Sequence, residues 1–144
     1  MIVKATESVE DIKAVLCDPA IYDKISDDNS INSEYFTPPI NNDHLYVGGF
    51  VKGECVAIMV YHTYKDGLTC HVQVLPEFRK EYAQEFGEQS LLFRGTLPLY
   101  AEIPKLYGNV LNFAKLNGFK VIDTVKDDYL KNGVRYDIDV LRYK

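Results

Sequence analysis

The chain has no paired cysteines: Cys17, Cys55 and Cys70 are odd in number, widely spaced and free of any Cys-x-x-Cys unit. This argues against a disulfide framework or a zinc knuckle and predicts reduced thiols in a cytoplasmic setting. Long apolar runs are missing too, and Met1-Ile2-Val3-Lys4 passes straight into mixed polar sequence, so we expect no signal peptide, no membrane span and no membrane partner. Basic excess is absent: 16 Lys and Arg against 21 Asp and Glu give a net charge of −5. A nucleic-acid partner is therefore not expected, because phosphate binding needs clustered cations. Finally, glycine is lacking after Arg79, where the chain runs Lys80-Glu81-Tyr82-Ala83-Gln84. A phosphate-cradling turn needs close backbone approach and left-handed dihedrals, each costing a non-glycine residue about 1–2 kcal/mol.

What is present is globular material. With 144 residues, 47% hydrophobic and 26% charged, one domain over 1–144 can bury a core unaided. Residues 2 to 5 read as a short strand. Ser8 is placed to cap a helix, with Asp11 three residues on, and Val9, Ile12, Val15 and Leu16 keep helical spacing until Pro19 ends or kinks it. The polar stretch 26 to 42 reads as a long loop with one helical turn. A hairpin follows, 45 to 51 and 55 to 63 around Lys52-Gly53-Glu54, and then a turn at Lys65-Asp66-Gly67, where an Asp-Gly pair tolerates positive φ. The apolar arm 55 to 61 predicts a central strand covered on both faces. In the next strand Leu68, Cys70, Val72 and Val74 alternate with Thr69, His71 and Gln73, so one face is core and the other lines a cleft.

Residues 69 to 119 form a unit of strand, helix (79 to 93), strand (100 to 103) and a short helix closed by Asn117-Gly118-Phe119. Strands joined by a helix run parallel, and ligand sites form where such strands end. A last hairpin, 120 to 126 and 134 to 143, turns at Asn132-Gly133. In it Val134, Tyr136, Ile138 and Val140 oppose Arg135, Asp137 and Asp139, which predicts one buried face.

This order, together with Val74-Leu75-Pro76-Glu77-Phe78-Arg79 and the Gly118-Phe119 pair, resembles the GNAT (Gcn5-related N-acetyltransferase) family, best over 44 to 143. The resemblance implies an α+β fold, a mixed and mostly antiparallel sheet of six to seven strands with helices on both faces. It also implies acetyl-CoA as donor, with Val74 and Leu75 along the pantetheine arm, Arg79 and Lys80 at the phosphates, and Asn109 nearby. The departures fall on the chemistry: the glycine positions of the family's Arg-x-x-Gly-x-Gly/Ala loop hold Tyr82 and Gln84, and its tyrosine acid position holds Ala114. A closer resemblance is to small phage-encoded GNAT-like proteins, some of them head-assembly proteins of short-tailed lambdoid phages. It is carried by Leu45-Tyr46-Val47-Gly48-Gly49, Met59-Val60-Tyr61-His62, His71-Val72-Gln73-Val74-Leu75 and Ala101-Glu102-Ile103-Pro104. It implies phage structural proteins as partners. The expectation is a non-catalytic binding or head-assembly factor that requires no cofactor, in the host cytoplasm if phage-encoded. The alternatives are an acetyl-CoA-dependent N-acyltransferase with an atypical donor site, and a cleft for some other small ligand.

Three residues are candidates for proton transfer. Glu102 lies on the polar face of a cleft-side strand and suits a general base; a solvated or paired strand carboxylate is the plainer reading. His71 shares the cleft face, against the plainer reading of a hydrogen-bonded structural histidine. Tyr107 precedes the last helix at the cleft mouth and is the surrogate acid. His62, Cys70 and His71 match no standard ligand spacing, so no metal site is expected, and Cys70 reads as inert core. The eleven tyrosines suit a binding surface as well as a sheet core. Asp27-Asp28 and Asp127-Asp128 read as solvated loop charges.

Overall fold

The computed structural model describes residues 1–143. Its order is β1 (Ile2–Ala5), α1 (Val9–Leu16), α2 (Pro19–Ile25), β2 (His44–Val51), β3 (Glu54–Tyr64), β4 (Gly67–Val74), α3 (Arg79–Leu91), β5 (Leu99–Pro104), α4 (Gly108–Leu116), β6 (Phe119–Lys131) and β7 (Val134–Tyr143). The seven strands make one sheet in the order β1-β2-β3-β4-β5-β7-β6. All neighbours are antiparallel except β4 and β5. This is the α+β architecture the sequence predicts.

Alternation sorts each strand between two cores. Ala57, Met59 and Tyr61 of β3 join Phe86 of α3 and Leu111 and Ala114 of α4 on one face. Ile58 joins Ile12, Val15 and Leu16 of α1 and Ile21 of α2 on the other, with Val60 packed against them. Sealing both faces with helices removes about 1.5–3 kcal/mol worth of exposed apolar side chain for each residue the size of Phe86.

Local signals explain the helices. The Ser8 hydroxyl accepts the Asp11 N–H at 3.2 Å, the capping contact the sequence predicts. Pro19 does more than end α1. It opens α2, capped by Asp18, whose carboxylate accepts the Ala20 N–H at 3.0 Å, because a residue without an N–H fits a first helical turn. The long loop carries its single turn of 3-10 helix at Ser33–Tyr35.

Two hairpins turn as expected, with positive φ at Lys52 and Gly53 (51° and 81°) and at Asn132 and Gly133 (53° and 77°). The third turn is a correction. Positive φ falls on Lys65 (47°), and Gly67 is the first residue of β4, paired with Tyr64. Its glycine is needed for space: a Cβ there would stand 2.0 Å from the Pro98 carbonyl oxygen.

β6 also departs from expectation. It continues past 126 to Lys131 through register shifts at Val121/Asp123 and Val125/Tyr129, and Asp127 (φ 53°) lies in the second of these irregularities, not in a loop. Asp139, expected on the polar face of β7, is 5% exposed. Lys105 at 3.2 Å and the Thr124 hydroxyl at 2.9 Å satisfy it.

The feature that positions a site is the parallel join. β4 and β5 pair only at Leu68 with Leu99 and Thr69 with Tyr100. Beyond those rungs they part, leaving a wedge between Cys70–Val74 and the rest of β5.

Candidate functional site

The wedge has two unlike faces. Toward α3 and α4 it is apolar, with Cys70, Val74, Ala101 and Ile103 buried in the core. Toward α1 and α2 it presents Thr69, His71, Tyr100 and Glu102, together with His62 and Tyr64 from β3. This face carries the polar chemistry of the site.

His71 is exposed to solvent, yet enough protein surrounds it that desolvation, and then the charge of His62, push its pKa down from 6.5 to about 4. Both hold together at the floor of an open cleft. Its partner is not a carboxylate: His71 Nε2 stands 3.1 Å from His62 Nε2. Cys70 faces the opposite way into the core, where burial pushes its thiol up to about 12. The three residues therefore do not converge, and among the described residues no three His, Cys, Asp or Glu side chains are grouped to hold a metal.

Glu102 is exposed but engaged, accepting the Tyr64 hydroxyl at 2.6 Å. That bond, followed by desolvation, raises the Tyr64 phenol to about 12, so it keeps its proton and donates. Tyr64 packs against Tyr100, ring centroids 5.4 Å apart, and Tyr100 donates to Asp66 at 2.8 Å. The wall beside the wedge is thus two tyrosines tied to two carboxylates.

Tyr107 caps the start of α4 through its backbone, accepting the Val110 and Leu111 N–H groups at 3.1 Å. Its hydroxyl lies 2.9 Å from that of Tyr129, which donates to the Ser26 carbonyl at 2.7 Å. The donor order therefore runs Tyr107 to Tyr129 to Ser26, away from the wedge. Ala114 is buried core.

Of the residues expected at the donor site, Val74, Leu75, Arg79 and Lys80 lie around the end of β4 and the start of α3, with their bonding groups largely committed, whereas Asn109 lies in the first turn of α4. The Val74 carbonyl accepts Arg79 Nε at 2.9 Å. The Leu75 N–H donates to Val56 at 2.9 Å. After one 3-10 turn at Pro76–Phe78 the chain enters α3 directly, with Phe78 as N-cap. Tyr82, Ala83 and Gln84 are thus inside the helix, their N–H groups in its ladder, and the Arg79 N–H bonds Pro76. Only the N–H groups of Lys80 and Glu81 are left for an anion, beside the carboxylates of Glu77 and Glu81. Lys80 and Asn109 are exposed. These residues do not fit a diphosphate.

Two open concavities, of about 310 and 580 Å³, lie along β1 and β2, the larger also lined by Asp11 of α1 and Tyr82 of α3, and no residue of β4 or β5 lines either. The chemistry argues for the wedge, a groove rather than a pocket. The sequence reading missed Tyr64 as the partner of Glu102, although its place two residues after His62 on the same strand face was available. It also missed the Asp28 carboxylate, which accepts the Asn132 and Gly133 N–H groups at 2.8 Å each. Those bonds hold its pKa below the usual carboxylate range. Asp28 is an exposed loop charge, as expected, and also a clamp.

No family model matches the chain, and no curated protein matches its sequence. Solved structures do match. A spermidine N-acetyltransferase variant from Vibrio cholerae superposes with a TM-score of 0.77 at 12% identity, over 99% of this chain and 94% of that one. An acetyltransferase of the GNAT family from Streptococcus pneumoniae gives 0.72 at 9% identity, over 98% and 97%. The fold is GNAT-like. The ribosomal-protein-S18-alanine N-acetyltransferase of Escherichia coli gives 0.70 at 14% identity, over 99% and 94%. On this GNAT frame the stretch after Arg79 is where the resemblance placed a pyrophosphate-binding turn, and here that stretch is helix. No helix is long and apolar enough to cross a membrane among the described residues.

Proposed function

We propose that this GNAT-fold chain works by binding at its wedge, without efficient acetyl-CoA chemistry. The observation that carries this is the start of α3 at Arg79, which draws Tyr82 to Gln84 into the helical ladder. Losing two or three charge-assisted bonds to a diphosphate, at about 1.5–3 kcal/mol each, weakens binding by about a hundredfold or more. Glu77 and Glu81 add like-charge repulsion. The sequence resemblance to phage head-assembly proteins supplies the finer form of this reading, a virion structural protein as partner; none of the three structures described above is a phage head protein. A melting-temperature titration with acetyl-CoA and with free CoA tests the reading, since a ligand that favours the folded state must raise the midpoint. We expect no shift at 100 μM of either. A saturating shift at micromolar concentration refutes it.

One observation favours a second reading, an acetyl-CoA-dependent N-acyltransferase with a weak donor site: the wedge itself, with His71 on its floor and Glu102 beside it. Two of the neighbours described above are, by name, N-acetyltransferases of spermidine and of an alanine of ribosomal protein S18. Single-turnover assays at millimolar acetyl-CoA with spermidine and with an alanine-initiated peptide would reveal this activity, and we expect none.

A further inference from the structure

Two Asn-Gly pairs occur in the chain, Asn117-Gly118 and Asn132-Gly133. With no side chain on the second residue in the way, the glycine nitrogen of such a pair can attack the asparagine Cγ. A bond forms between that nitrogen and Cγ, the bond from Cγ to the side-chain nitrogen breaks, and the displaced amino group leaves as ammonia with the proton that the glycine nitrogen gives up. Water then opens the cyclic imide at either of its carbonyls, leaving aspartate or isoaspartate. No enzyme, oxidant or cofactor takes part. The reaction needs a side chain free to turn onto the glycine nitrogen and an N–H able to lose its proton.

At Asn117 the side chain is not free. Its Nδ2 donates to the Phe113 carbonyl at 2.9 Å, its Oδ1 accepts Gln84 Nε2 at 3.1 Å, and the Gly118 N–H donates to the Lys115 carbonyl at 3.2 Å. Asn132 is different. It is exposed at the β6–β7 turn, and among the described residues no hydrogen bond holds its side-chain amide. The restraint falls on the backbone instead. One oxygen of the Asp28 carboxylate accepts the Asn132 N–H and the other the Gly133 N–H, each at 2.8 Å, and the Asp28 N–H donates in turn to the Leu130 carbonyl at 3.0 Å. The bond to Gly133 falls on the nucleophile. It engages the proton that must leave and sets a negative charge beside the nitrogen that must become anionic, which disfavours its ionisation. Together the two bonds fix the peptide between Asn132 and Gly133 in a turn with φ of 53° and 77°. They also hold the Asp28 pKa below the usual carboxylate range, so the carboxylate keeps its charge in the alkaline conditions that favour loss of the N–H proton.

We propose that Asn132 is a site of spontaneous deamidation and that Asp28 holds it closed in the folded chain. Either product carries a carboxylate on the residue whose N–H Asp28 accepts, and isoaspartate also lengthens the main chain inside the turn. Like charge and altered spacing then oppose the two-pronged grip, leaving Tyr129 and Lys131, which reach the Ser26 carbonyl, to hold the tip. The site stands whichever reading of the function holds.

The full chain, held at pH 8 and 37 °C both folded and in guanidinium chloride, is mapped by mass for deamidation and isoaspartate. In denaturant both asparagines should convert; in the folded chain both should persist. Asp28→Ala, and Asp28→Asn, which lacks the charge, should each speed conversion of Asn132 by about tenfold to a hundredfold, while Asn117 in the same digest persists. Conversion of Asn132 as fast in the folded unmodified chain as in denaturant overturns the proposal, as does a rate at Asn132 indifferent to Asp28. Equal acceleration at Asn117 and Asn132 in both variants overturns it too, since a local guard on one turn cannot govern the other. Asn132→Asp, which reproduces one product, should quicken amide exchange at Gly133 by about tenfold; unchanged exchange there refutes release of the clamp.

Discussion

At the scale of single residues, burial holds the protons on two of the three thiols. Desolvation and, in Cys55, the charge of Asp11 push that thiol up to about 11, while burial alone takes Cys70 to about 12. Only the thiolate attacks, and at pH 8 groups so shifted are thiolate to about one part in a thousand or less. Iodoacetamide at pH 8 should therefore label Cys17, which is partly exposed, and leave Cys55 and Cys70 unmodified until the protein unfolds. Mass mapping of the labelled chain checks this. His71 makes the opposite kind of prediction. Its folded value, lowered from 6.5 to about 4, means that the unfolded chain takes the proton first as pH falls. The stability present above pH 6.5 is therefore lost progressively down to pH 4. Carboxylates also titrate near the lower limit, so the test is a difference: urea midpoints of His71→Gln should fall less steeply than those of the unmodified chain between pH 6.5 and 4.5.

At the scale of elements, the wedge depends on how β5 enters the sheet. Gly67 opens β4 with the Pro98 carbonyl against its α-carbon, and Leu68 N–H donates to the same oxygen at 2.9 Å. Gly67→Ala must push that carbonyl away. We expect a loss of about 1–3 kcal/mol, the usual cost of overpacking, with faster amide exchange at Leu68 and Tyr100. The β6–β7 tip depends on the loop before β2. Asp28 clamps Asn132 and Gly133, Lys131 reaches the carbonyls of Asp23 and Ser26, and Tyr129 holds Ser26. Asp28→Ala should speed exchange of the Asn132 and Gly133 amides while α3 stays protected; unchanged protection at the tip would show that the clamp contributes nothing.

These elements show where sequence reading runs out. The Asn132-Gly133 and Lys52-Gly53 turns, the Ser8 cap and the alternation in β4 were legible because each signal lies within a few residues of its effect. Asp28 read as a solvated charge because its partners lie more than a hundred residues away. A cleft beside β4 and β5 was legible from their parallel join, but not that pairing stops after two rungs, which three-dimensional layout decides, and Gly67 read as a turn residue because its constraint, Pro98, is brought to it by tertiary contact. The missing glycines after Arg79 were legible, and so was their consequence for phosphate. That the stretch forms the first turns of α3 was legible as well, since the spacing predicts a helix from 79; which N–H groups that helix consumes was not, because that depends on where its N-cap falls.

At the scale of the whole molecule, one sheet separates two cores that share no helix. Ile12, in α1, and Phe86, in α3, are each fully buried, in the second and first core respectively. If the cores melted independently, the half built on the short helices α1 and α2 would unfold first and leave the α3/α4 side intact. The strands argue otherwise. Ala57 and Ile58 are neighbours in β3, both 0% exposed, and feed opposite cores. Neither face can lose its cover without placing a central strand's apolar side in water, so unfolding should be a single transition. Ile12→Ala should cost about 2–5 kcal/mol and Phe86→Ala about 3–5 kcal/mol, and each should lower the midpoint seen by far-ultraviolet circular dichroism and by tyrosine fluorescence to the same extent. Eleven tyrosines spread over both faces make the second probe sensitive to either core. Two separated transitions in Ile12→Ala, with the tyrosine signal lagging behind the helical one, would show that the sheet does not couple its two sides. The wedge, whose polar face lies over the α1/α2 core, would then open long before the chain unfolds.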